Sequence, residues 1–198
     1  MITRLAAMVG LIALASATPA VAFDPDETFA KGTFVLSAEG AYGWQVDIED
    51  NSNFSAIRFW DAGVRFGVLP FDPLAKGTPV YGSLEIGLEP LYQRYVEPQH
   101  AFWAGLSAVV RYHFLGVGRL VPYIEIAGSA GGTDLRLPEI RSDFAFLLFG
   151  GVGASLFLGD KVAAYTGYRF QHVSNGGTSS PNRGFEAHGA VLGFSLFF

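Results

Sequence analysis

Between residues 32 and 198 the chain repeats one pattern about eight times: a short segment with every second residue apolar, then a cluster of Gly, Pro, Asp or Asn. Side chains of a strand alternate between two faces, so a period of two specifies half-buried strands rather than helices. The expected strands are 32–46, 55–69, 79–95, 101–114, 120–131, 144–157, 162–173 and 186–198, with limits good to about two to four residues. An even number of strands on short connections closes into an antiparallel barrel.

The alternation also separates chemistry. In the first strand Phe34, Leu36, Ala38, Tyr42 and Trp44 share a face, and Ser37, Glu39 and Gln45 share the other. Leu84, Ile86 and Leu88 oppose Tyr81, Ser83, Glu85 and Glu89, while Phe102, Leu106, Val110, Tyr112 and Phe114 oppose Ser107, Arg111 and His113. A soluble, lipocalin-like barrel turns the apolar face inward; a small membrane barrel turns it to lipid and fills its lumen with polar and small side chains. Three features favour the membrane. The mean hydropathy is +0.31, although beyond the N-terminus no apolar run is as long as a membrane helix needs. Aromatic residues near strand ends (Trp44, Trp60, Tyr92, Tyr95, Trp103, Tyr112) are expected to form interfacial girdles. The last strand ends in Phe194-Ser195-Leu196-Phe197-Phe198, and its terminal Phe resembles the insertion signal of outer-membrane barrels. The expected fold is an all-β, eight-stranded antiparallel transmembrane β-barrel in the outer membrane of a Gram-negative cell. Glu39, Glu85, Glu89, Arg111, Glu125 and Arg169 then point into a narrow lumen, where charges need partners. A paired network is expected there, plugging the barrel against diffusion.

The N-terminus has a different character. Arg4, the apolar run from Leu5 to Ala17, and Ala20-Val21-Ala22 have the layout of a secretory signal peptide, so residues 1–22 are set apart and 23–198 form one barrel domain. There is no cysteine, which excludes disulfides, thiol catalysis and thiolate metal sites. The net charge of −5 comes without a basic stripe, so no nucleic acid is expected as a partner. Asp134, Glu139 and Asp143 do not have calcium-loop spacing, and neither a metal nor another cofactor is expected.

With both chain ends in the periplasm, the connections after the first, third, fifth and seventh strands lie outside the cell. Gly159-Asp160-Lys161 is then a tight periplasmic turn, and the segment joining the last two strands is extracellular. The seventh strand ends in Tyr168-Arg169-Phe170-Gln171-His172-Val173-Ser174-Asn175, followed by Gly176-Gly177, and Asn182-Arg183-Gly184-Phe185-Glu186 opens the eighth. His172 and Ser174 project from one face of an extended strand with Cα atoms about 6.5–7 Å apart, within reach of an imidazole–hydroxyl contact. An antiparallel return can set Glu186 beside His172. A serine hydroxyl is a weak nucleophile until a neutral imidazole takes its proton, and a carboxylate on the other ring nitrogen fixes tautomer and orientation. Ser174, His172 and Glu186 fit these roles. Asn175, Asn182 and the amides of the glycine turn, Gly177 among them, are candidate oxyanion donors. Parity places the trio on the lipid-facing side, opening sideways to the leaflet in which lipopolysaccharide resides.

His172-Val173-Ser174-Asn175-Gly176-Gly177, with Asn182, Gly184 and Glu186 after it, resembles the signature of the lipid A 3-O-deacylases, outer-membrane acyloxyacyl hydrolases with a Ser-His-Glu triad. The match covers about 20 residues, and Arg183 stands where many members carry proline. The resemblance implies hydrolysis of the 3-O-linked acyl chain of lipid A with His172, Ser174 and Glu186 catalytic. It implies lipid A and membrane lipid as partners and leaves a homodimer open. The residues themselves leave two other readings, a non-enzymatic barrel whose loops bind a partner, and a phospholipase using the same chemistry.

Overall fold

A computed structural model describes residues 23–48 and 54–198; the expected signal peptide, 1–22, lies outside them. Among the described residues a short helix α1 (Pro25–Thr28) precedes eight strands: β1 (Phe34–Val46), β2 (Arg58–Val68), β3 (Gly82–Glu97), β4 (Ala101–Phe114), β5 (Leu120–Thr133), β6 (Phe144–Phe157), β7 (Val162–Ser174) and β8 (Phe185–Phe197). They close in chain order, each antiparallel to the next, with β1 paired to β8. β5 runs two residues past its expected end at 131, because Gly132 still pairs with Phe144 of β6 and Thr133 with Trp103 of β4. On the β4 side a Cβ at Gly131 would fall 2.3 Å from the Ala104 carbonyl oxygen, so glycine there lets the two strands approach.

The apolar face points out. Ile126, Phe194 and Leu192 are 65%, 62% and 68% exposed, far more apolar surface than a water-soluble protein leaves open, and lipid is the solvent that such a wall requires. Trp44, Trp60 and Tyr92 lie on this outer face, but Tyr95 and Trp103 correct the expected girdle: they are 1% and 0% exposed, inside the barrel. Both share the parity of inward neighbours, Tyr95 with Gln93 and Trp103 with Ser107. Their polar atoms are satisfied there, the Tyr95 hydroxyl donating to Gln93 Oε1 at 2.6 Å and the Trp103 indole to the Ala145 carbonyl at 3.0 Å.

The lumen is filled in three layers. At the end bearing Phe23 and Phe198, Phe29 follows α1 into the barrel and packs on Phe157, Phe197 and His113. Asp24 caps the helix by accepting from the Asp26 and Glu27 amides, and Thr28 ties it to the Asp160 carbonyl at 2.9 Å. Hydrogen bonds from Lys76 and Tyr81 hold the Asp26 carboxyl below the usual carboxylate range, so it stays ionised as an anchor for this plug.

The middle layer is the expected ionic network. Arg65 donates to Glu89 at 2.8 and 3.0 Å and reaches Glu39 and Glu125 at 3.3 Å. Glu125 also accepts from Arg111 at 2.7 Å and from Arg169 at 2.8 Å, and Arg169 completes the circuit on Glu39. His113 and Glu85 form a further pair at 2.8 Å. Arg65 is the member that the sequence reading did not name, and Asp61 is a further buried luminal acid from the same strand, although β2 has the same parity signal. At the loop end, the β5–β6 connection folds over the mouth and buries Leu135, Leu137 and Ile140 against Phe59, Trp103 and Phe185.

Candidate active site

β7 and β8 are the last two staves of the barrel, and their register decides the site. His172 stands directly opposite Glu186, and His172 Nδ1 lies 2.9 Å from Glu186 Oε1. Both side chains are about one-third exposed, at 36% and 29%, on the outer wall that carries Tyr168 and Phe170. Ser174, two residues beyond His172, shares this face. Among the described residues neither the Ser174 hydroxyl nor His172 Nε2 makes a hydrogen bond, so both are available to an incoming group. On the neighbouring strand β6, Phe146 lies opposite Ser174 and Leu148 opposite His172, giving the polar pair an apolar flank toward lipid.

The β7–β8 connection is organised by Asn175, which is fully buried. Its amide N–H donates to Asn182 Oδ1 at 2.7 Å, and its side-chain nitrogen donates to the Ser179 carbonyl and hydroxyl at 3.0 and 2.9 Å. Its side-chain oxygen accepts the Gly177 N–H at 2.9 Å. Of the expected oxyanion donors, Asn175 and the Gly177 amide are therefore occupied in holding the turn. The Asn182 side-chain nitrogen remains, because Asn182 uses its oxygen in the bond to Asn175. The Gly176 N–H, which the sequence reading did not single out, also makes no hydrogen bond among the described residues.

Gly184 is the tightest point. Its φ of +74° is the left-handed region that glycine tolerates. A Cβ there would meet the Val173 carbonyl oxygen at 2.7 Å, His172 Cε1 at 3.0 Å and Ser174 Cβ at 3.2 Å. The loop therefore lies directly on the His–Ser pair. Gly184→Ala should leave the barrel assembled but displace the imidazole, and with His172 as the catalytic base that the sequence leads one to expect, it should lower kcat by about tenfold or more; wild-type turnover by the folded variant would show that this contact does not matter.

The family model for lipid A 3-O-deacylase (PagL) matches residues 32–195. The chain belongs to that family. It is accordingly an outer-membrane carboxylic ester hydrolase acting on lipid A, and the non-enzymatic reading is set aside. The crystal structure of the outer membrane enzyme PagL is similar at 20% identity, with 81% of this chain and 97% of that one covered and a TM-score of 0.58. Neisserial surface protein A is similar at 15% identity, with 85% and 100% covered and a TM-score of 0.58. At these identities the likeness to the solved structures is one of fold. No curated sequence matches the chain. The family match reaches into all eight strands, ending inside β8, whereas the short signature that suggested it lies almost wholly within the β7–β8 turn and its flanks.

Proposed function

We propose that this 3-O-deacylase works through Ser174 as nucleophile, His172 as general base and acid, and Glu186 as the carboxylate orienting the imidazole. The observation that carries the reading is the His172–Glu186 hydrogen bond on the lipid-facing wall, with Ser174 beside it on the same face. Glu186 on Nδ1 leaves Nε2 as the nitrogen that faces a hydroxyl. As the substrate ester arrives, Nε2 takes the Ser174 proton and the serine oxygen adds to the ester carbonyl. The Gly176 N–H and the Asn182 side-chain nitrogen are the donors for the developing oxyanion. Collapse expels the sugar 3-oxygen, which takes the proton from the imidazolium and leaves an acyl-serine. Water then gives a proton to His172 and its oxygen to the acyl carbon. Collapse of this second adduct returns the proton to serine and frees the fatty acid.

The position of the trio explains the substrate. An ionisable group on the outer wall is costly at mid-membrane and tolerable near the interface, and His172, Ser174 and Glu186 sit at the loop end of their strands. With that end facing outward, the ester of a lipid A molecule in the outer leaflet meets the serine laterally, its acyl chain lying along Phe146 and Leu148. The test is mass spectrometry of lipid A from cells with and without the protein, combined with peptide mapping after treatment with a serine-directed phosphonate. Loss of one hydroxyacyl mass and a label on Ser174 are expected; unchanged lipid A, or a label on another serine, would overturn the assignment.

A further inference from the structure

Glu139 lies in the β5–β6 connection, away from the His–Ser pair in sequence and on another loop, yet it is 0% exposed. A fully buried carboxylate needs several donors to remain there. It has them from two other parts of the chain. Oε1 accepts from Gln45 Nε2 at 3.0 Å and from the Ser55 amide at 2.8 Å, and Oε2 accepts from the Ser55 hydroxyl at 2.7 Å. Gln45 in turn accepts the Ile57 N–H at 3.0 Å, so the β1–β2 connection is tied to the carboxylate twice.

The main chain of the same residue reaches the active-site loop. The Glu139 carbonyl oxygen accepts from two successive amides, Arg183 at 2.9 Å and Gly184 at 3.0 Å. The Arg183 guanidinium lies 3.5 Å from the carboxylate, and Ile140 bridges to Asn182. Gly184 lies against His172 and Ser174, Asn182 carries the proposed oxyanion donor, and Arg183 joins the two. A loop at the rim of a barrel has no continuous ladder to hold it, and here the holding group is the main-chain carbonyl of a residue whose side chain is tied to β1 and the β1–β2 connection.

We propose that Glu139 is a positioning residue for the hydrolytic site: its carboxylate anchors the β5–β6 connection, and its carbonyl pins Asn182–Gly184 against the His172–Ser174 pair. The inference rests on the serine mechanism proposed above. Displacement of this segment by a fraction of an ångström alters the approach of the imidazole and the aim of the oxyanion donor without changing the apolar surface that binds the acyl chain. Loss of the clamp therefore acts on kcat rather than on KM.

The experiment uses the full-length protein refolded in detergent with lipid A as substrate, comparing Glu139→Gln, Ser55→Ala and Ser174→Ala. Glu139→Gln should lower kcat by about tenfold or more and Ser55→Ala by about threefold, each with KM within about twofold of wild type. The rate of serine labelling by the phosphonate should fall in parallel, while the heat-modifiable gel mobility of the folded barrel persists. Wild-type kcat per folded molecule in the Glu139 and Ser55 variants, with Ser174→Ala inactive, overturns the proposal and leaves Glu139 a purely structural group. Turnover by Ser174→Ala defeats the serine mechanism and this inference with it. Should Glu139→Gln fail to insert, Ser55→Ala, which removes one hydroxyl from the clamp, decides between the same outcomes.

Discussion

Ser174→Ala should fold into the same barrel and lose deacylation by at least about 10⁴-fold in kcat. In the proposed mechanism the substitution removes the atom that forms the acyl intermediate, and among the described residues no hydroxyl of another residue hydrogen-bonds to the His172 imidazole. The fold should be indifferent to the change, because Ser174 is only half-buried and its hydroxyl makes no hydrogen bond among the described residues. His172→Ala should cost a similar factor. Glu186→Ala should cost less, since the carboxylate orients the base without itself accepting the substrate's proton. Combining two of the substitutions should be little worse than the worst single one, as groups that act as a unit are not additive. Time courses of lipid A deacylation, read by mass spectrometry at matched amounts of heat-modifiable protein, separate these cases; a Ser174→Ala protein retaining a tenth of wild-type turnover would falsify the nucleophile assignment.

The second large effect is on stability. Arg65 is fully buried in the middle of the lumen and touches three carboxylates, those of Glu39, Glu89 and Glu125. Arg65→Met is close in volume but leaves Glu89 without its guanidinium partner and weakens the hold on the other two. Breaking a buried ion pair from one side costs about 3–5 kcal/mol, a large share of the roughly 5–15 kcal/mol that stabilises a typical domain. The expected result is a clear fall in the urea midpoint of the barrel in lipid vesicles and a lower yield of the heat-modifiable form. Replacing Glu89 by Leu in the same protein should recover part of the loss, because the stranded carboxylate is then gone. An Arg65→Met barrel as resistant to urea as wild type would mean that water enters the lumen and solvates these charges.

The strand pattern shows why so much of the fold could be read in advance. Alternation is a local property: whether Leu36 and Glu39 point to opposite faces depends only on the backbone between them, so parity assigned lumen and lipid faces residue by residue. The same rule should have placed Tyr95, Trp103, Arg65 and Asp61 inside. It was outweighed for the two aromatics by their nearness to strand ends, which suggested a girdle. The His172–Glu186 pairing was accessible for a related reason, since a hairpin of two antiparallel strands leaves few registers that keep both apolar faces outward.

The loops carry no such period. Nothing local in the β5–β6 connection distinguishes Glu139 from Asp134 or Asp143, and its burial arises only when that segment folds over the mouth and meets Gln45, Ser55 and Arg183. The fate of the oxyanion candidates was equally hidden, because Asn175 and Gly177 satisfy each other only in the folded turn. By itself, then, the sequence determined the barrel, its inverted polarity, the charged lumen and the trio on the outer wall, all of which follow from a period of two and antiparallel return. Which donors remain free, and which distant carboxylate holds them against the serine, was decided by tertiary structure alone, because those contacts join residues that no backbone repeat relates.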